Sequence, residues 1–120
     1  MVLQMSRLVA LLCALSLMAC GVPRDPEGTL ARVRGGEMRV GVASSEPWTA
    51  WPGEEPSGVE VELVKDFAAA IDSEIFWVGG SEAEVIEALE AGELDFVIGG
   101  LTSTSPWSAM AALTHPYITT

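Results

Sequence analysis

Three tryptophans and a run of hydroxyls are the residues of this sequence best suited to hold a small molecule. Trp48 and Trp51 lie in a polar stretch rich in proline, residues 44–57, and Trp107 follows Thr102, Ser103, Thr104 and Ser105. An indole on a polar loop can act as a stacking wall, or it can fold back onto a core. The hydroxyls can cap a helix, and the free N–H groups of a helix start point the same way. Glu46, in the first stretch, and Glu82, at a helix start, are carboxylates that could face the same place. General acid–base catalysis would need such a carboxyl, or a histidine, held in a cleft with a tuned pKa. With seventeen Asp/Glu in the chain such coincidences are common. Glu60, Glu62, Glu84, Glu87 and Glu90 read as solvated helix faces, and His115, before Pro116, reads as structural.

Composition narrows the choice further. The 120 residues carry six Lys/Arg against seventeen Asp/Glu, a net charge of −11, with 49% hydrophobic residues. That is too apolar for a disordered acidic tail. It also lacks the positive surface that phosphates require, so no nucleic-acid partner is expected. The turn Gly41-Val-Ala-Ser-Ser-Glu46 is not a GxGxxG fingerprint, and no GxxxxGK[ST] loop occurs. Two cysteines, Cys13 and Cys20, and one histidine make no metal-ligand pattern, so neither a metal nor another cofactor is expected.

These residues need elements to place them. Residues 38–43 are β-branched and strand-like. Residues 59–71 carry apolar side chains at 59, 63, 64, 67, 70 and 71, a helical period. Residues 74–79 read as a second strand. Ser81 and Glu84 form a capping-box signature ahead of a helix that Gly92 closes. Residues 94–99 read as a third strand, and Ser105-Pro106 as another helix start. The alternation β-α-β-α-β-α predicts an α/β fold, a parallel sheet with flanking helices. With strands two and three on either side of strand one, the order is 2-1-3, and ligands are expected beyond the carboxyl ends at the switch point. Residues 44–57 and 99–107 meet there.

The amino terminus is a different kind of segment. Residues 1–17 hold one charge, Arg7, followed by the apolar run 8–17, too short for a membrane span of about 20 residues. The end of the run, Leu17-Met-Ala-Cys-Gly21, resembles a bacterial lipobox, in which Cys20 becomes the fatty-acylated first residue of the mature protein. The expected organisation is a lipoprotein signal peptide over residues 1–19, a tether over 20–36 and a folded domain over 37–120. Acyl chains on Cys20 would anchor the protein to a membrane.

Residues 89–102, Leu-Glu-Ala-Gly-Glu-Leu-Asp-Phe-Val-Ile-Gly-Gly-Leu-Thr, then Thr104, then Thr114-His-Pro-Tyr117, resemble the family 3 extracellular solute-binding proteins. The strand at 38–42 and Gly58-Val-Glu-Val-Glu-Leu-Val64 fit the same pattern. The resemblance implies a periplasmic-binding-protein (type II) lobe, the first of two that close around a solute, often an amino acid, and deliver it to an ABC permease. It implies a location in the periplasm or at the cell surface, and a chain ending where the family's first hinge strand begins: a fragment, a truncated reading frame or a decayed gene. It carries Gly100 and Thr102 onto contacts with the ligand amine and carboxylate. It also exposes departures. Trp107 stands where amino-acid binders carry an Arg that pairs the carboxylate, Glu82 where an aromatic is expected, and Ala43 where an acid is expected. The binding set is therefore Trp48, Gly100, Thr102 and Trp107, with Glu46 and Glu82 beside them, and no catalytic residue is expected. A solute-binding-like domain of a membrane-bound lytic transglycosylase, or a ligand-sensor lipoprotein, is the alternative.

Overall fold

The computed structural model describes residues 1–7, 9 and 24–119; the expected acylation site, Cys20, lies outside the described residues. Among the described residues no helix is long and apolar enough to cross a membrane.

Three strands form one parallel sheet. β1 is Glu37–Val42, β2 is Glu74–Gly79 and β3 is Phe96–Ile98, in the order β2-β1-β3, as the sequence predicts. Val40 pairs with Trp77 on one side and Phe96 on the other. Alternation along the strands feeds two clusters, one for each face of the sheet. Met38, Val40, Val42 and Ile98 join Val61, Val64 and Ala68 of helix α2 (Val59–Ala70) in the larger one. Ala43 and Leu94 join Val85 of helix α3 (Glu82–Glu90) in the other, with Val78 and Val97 packed against them. Gly41 is what lets α3 come close. A Cβ there would stand 2.6 Å from Leu94 Cδ1 and 3.0 Å from Val85 Cβ. Fully burying a side chain such as Val40 or Ile86 contributes about 1.5–3 kcal/mol.

The start of α3 follows its local sequence. Ser81 Oγ accepts from the Glu84 N–H, and the Glu84 carboxylate accepts from the Ser81 N–H at 2.8 Å. That reciprocal capping holds the Glu84 carboxyl below its ordinary value.

Helix α2 departs from the expected pattern. Glu60, expected on a solvated helix face, is instead 6% exposed, while Val59, Leu63 and Phe67 stay half-exposed. The helix therefore turns the stripe Glu60, Val61, Val64, Ala68 inward rather than its bulkier apolar residues. The same rotation buries Val61, Val64 and Ala68 in the core and brings the Glu60 carboxylate to the N–H groups of Gly99 and Gly100.

The segment expected as a tether also contains structure. Helix α1, Thr29–Val33, places Val33 in the larger cluster at 4% exposure. Asp95 ties it to the amino end of the sheet. Its carboxylate accepts from the Arg39 N–H at 2.9 Å, from Arg39 Nη2 at 2.8 Å, and from the Arg32 guanidinium. Burial pushes Asp95 up, but the Arg39 and Arg32 bonds outweigh it and bring the carboxyl down to about 2. Composition alone hides α1, because five residues are too few to show a helical period.

At the other end, Ser105-Pro106 opens a single 3-10 turn, Pro106–Ala109, rather than a longer helix; Ser105 Oγ still caps it by accepting from the Trp107 N–H.

Candidate functional site

The loop after β1 and the loop after β3 meet at the carboxyl end of the sheet. The first braces itself. The Ser45 N–H donates to the Thr49 carbonyl and to Thr49 Oγ1, each at 2.9 Å, and the buried Thr49 hydroxyl donates to the Ala43 carbonyl. Paired Ala50–Ser57 backbone bonds, both 2.8 Å, close the rest of the loop. Braced by these bonds, the loop presents Trp48 as a half-buried wall. Trp51 instead packs over Gly79 and against the larger core cluster. Of the two indoles, one is a wall and the other is core.

The second loop comes against this wall at Gly100. Its φ of 65° lies in the left-handed region, and a Cβ would meet Ser45 Oγ at 2.7 Å and Trp48 Cδ1 at 2.8 Å. The site needs glycine here for conformation and for space alike.

Glu60 binds the two loops together. Its Oε2 accepts from the N–H groups of Gly99 and Gly100, both at 2.9 Å, and its Oε1 accepts from the Tyr117 hydroxyl. Tyr117 lies edge-to-face with Trp48, ring centroids 6.2 Å apart at 69°. Burial and the adjacent Glu60 carboxylate push the Tyr117 phenol up to about 12. Neither residue belongs to the expected set. Glu60 and Glu62 look alike in sequence, both acids in the first turn of a helix, where a carboxylate is favoured anyway. Only the fold tells them apart. Tyr117 sits 57 residues from Glu60, so no local signal couples them.

A second pairing spans the carboxyl end of the sheet, from the turn after β3 to the start of α3. Trp107 Nε1 donates to Glu82 Oε2 at 2.9 Å, although 25 residues separate them. The structure thus places Trp48 against Gly100, and Trp107 against Glu82. Thr102 is exposed and shares a 3.0 Å hydroxyl bond with Thr104. Glu46 is exposed on the turn before Trp48, at a cis bond to Pro47. His115 is exposed.

The electrostatics are one-sided. Residues 44–57 and 99–107 contain no Lys or Arg, while Glu46, Glu54 and Glu55 lie in the first loop. Arg32 and Arg39 are engaged with Asp95 at the opposite end of the sheet, and Lys65 pairs with Glu62 on α2 at 3.0 Å. Indoles and carboxylates without a Lys or Arg give these two loops a negative potential.

Residues 38–120 match the family described as bacterial extracellular solute-binding proteins, family 3. No curated protein sequence matches the chain. Among solved structures, it is similar to a protein from Wolinella succinogenes assigned as a binding component of an ABC transporter, complexed with lysine. That similarity has a TM-score of 0.63 at 26% identity, over 69% of this chain and 36% of that one. It is also similar to an ancestral cationic amino acid solute-binding protein, with a TM-score of 0.58 at 25% identity, over 68% of this chain and 36% of that one. An ancestral cyclohexadienyl dehydratase gives a TM-score of 0.63 at 20% identity, over 84% and 41% of the two chains. At that identity the likeness is one of fold. The chain therefore spans about two fifths or less of the length of these structures.

Proposed function

The chain belongs to the bacterial extracellular solute-binding proteins, family 3, and from that premise we propose that it is a lipid-anchored, extracytoplasmic solute-binding component of an ABC importer, specific for a cationic solute of the amino-acid class. In this reading residues 1–19 are the signal peptide, Cys20 carries the lipid, and residues 37–120 contribute the first lobe, with α1 docked beneath it. Trp48, Gly100, Thr102 and Trp107 contact the solute, joined by Glu46 and Glu82.

The observation that carries the cationic preference is the charge of the crevice: two loops without a single Lys or Arg, and a Trp107–Glu82 pair at the carboxyl end of the sheet. The family resemblance puts a carboxylate-pairing Arg at position 107. With Trp there, a bidentate charge-assisted bond is absent, and the indole face offers a cation site worth about 0.5–2 kcal/mol. The carboxylate of Glu82, bonded to the indole N–H through one oxygen, keeps lone pairs for an ammonium or guanidinium. Two solved relatives at 25–26% identity point the same way: one is described as a cationic amino acid binder and the other is complexed with lysine.

Calorimetric titration of the chain with L-lysine, L-arginine and L-glutamate tests the reading. Uptake of either basic amino acid in preference to glutamate is expected. Preferential uptake of glutamate would overturn it.

A further inference from the structure

We propose that Glu60 and Tyr117 are positioning residues for the crevice: acting through one carboxylate, they hold the Gly99–Gly100 turn and the Trp48 wall in the arrangement a solute meets. The inference rests on the crevice being the solute site.

The geometry makes Glu60 a hub. It is 6% exposed and sits at the second position of α2, where its own N–H donates to the Trp48 carbonyl at 3.1 Å. Its side chain then reaches three further groups, the N–H of Gly99, the N–H of Gly100 and the Tyr117 hydroxyl. A carboxylate can accept about four bonds, and bonds to a charged acceptor are the stronger kind. Backbone from both crevice loops, and the segment carrying Tyr117, are thereby tied to one side chain.

Two consequences follow for a solute. Successive N–H groups on a turn make a natural anion cradle. Here the chain's own carboxylate fills it, so a guest carboxylate gains nothing from these amides. The second concerns Trp48. Its indole is confined by Gly100 on one side and meets the Tyr117 ring edge on the other. Displacing Tyr117 frees both the wall and the turn. Residues 112–119 contain no helix or strand, so the phenol is held by its hydroxyl and its ring rather than by an element of its own. Glu60 is the charged group that the phenol meets, and the phenol remains a protonated donor at neutral pH.

Tyr117→Phe keeps the ring and removes the hydroxyl, which makes it the discriminating variant. Amide exchange at Gly99 and Gly100, followed by NMR without solute, should accelerate about tenfold. Exchange at Val40 and Ala68, inside β1 and α2, should not change. L-lysine affinity should fall about three- to tenfold while the melting midpoint stays in place. That split separates positioning from a merely structural tie. Glu60→Gln, which retains one acceptor oxygen, should accelerate the same two amides if Tyr117→Phe proves hard to fold. Unchanged glycine exchange in both variants overturns the proposal alone. Faster exchange with unaltered lysine affinity also overturns it, leaving a structural tie. A wild-type chain that takes up neither L-lysine nor L-arginine ends the solute reading, and the positioning role falls with it.

Discussion

Trp107 and Glu82 are joined by a 2.9 Å hydrogen bond from the indole Nε1 to a carboxylate oxygen, across the gap between the 3-10 turn after β3 and the first turn of α3. A donor-only indole and an acceptor-only carboxylate satisfy each other. The pair leaves an aromatic face and free lone pairs side by side.

This pairing predicts a reversible specificity. Glu82→Gln should weaken L-lysine binding about two- to fivefold, the scale of an exposed charge pair. Trp107→Ala should cost a similar factor through the lost cation–π contact. Trp107→Arg should reverse the preference toward L-glutamate. Titration calorimetry of the three variants reads all of these, and retained lysine preference in Trp107→Arg would count against the assignment.

Salt should matter for the same reason. Attraction between a cationic solute and a chain of net charge −11 is screened as ionic strength rises. Lysine affinity should fall steadily between low and physiological salt, and more gently in Glu82→Gln.

Asp95 makes a pH prediction. Its folded pKa, about 2, lies below the ordinary 3.8, so its stabilisation is present above 3.8 and is lost as pH falls through 2. Asp95→Asn should therefore destabilise the fold by about 1–2 kcal/mol at neutral pH. The gap between the two proteins should close between pH 4 and pH 2. Denaturant melts at stepped pH measure it.

Gly100→Ala tests the junction between Trp48 and the second loop. The left-handed backbone alone costs roughly 1–2 kcal/mol for a residue with a Cβ, and the new methyl would press on Ser45 and Trp48. Lower thermal stability, by about 4–8 °C per kcal/mol, should come with weaker lysine binding.

Cys20→Ala should abolish fatty-acid incorporation and leave the precursor uncleaved. Metabolic labelling with a fatty acid, compared with wild type, decides this; equal label in both would overturn the lipobox reading.

Much of this fold is local and was legible from the residues alone. The capping box needs Ser81 and Glu84 three positions apart. The β-branched runs mark the strands, and the alternation of strands with helices dictates a parallel sheet. Once strands two and three flank strand one, as they do, residues 44–57 and 99–107 must meet at the carboxyl end of the sheet. What only the tertiary structure decided is which of several chemically equivalent residues entered the site. Glu60 and Glu62 are both acids in the first turn of α2, yet one is buried on two backbone amides and a phenol while the other faces Lys65. Trp48 and Trp51 share a loop, yet one is a wall and the other core. The reason is that a buried carboxylate or a packed indole is selected by partners 39 to 57 residues away, or on a neighbouring strand. Periodicity reports which face a residue shares with its neighbours in sequence. It carries no information about what distant backbone will come to rest against that face.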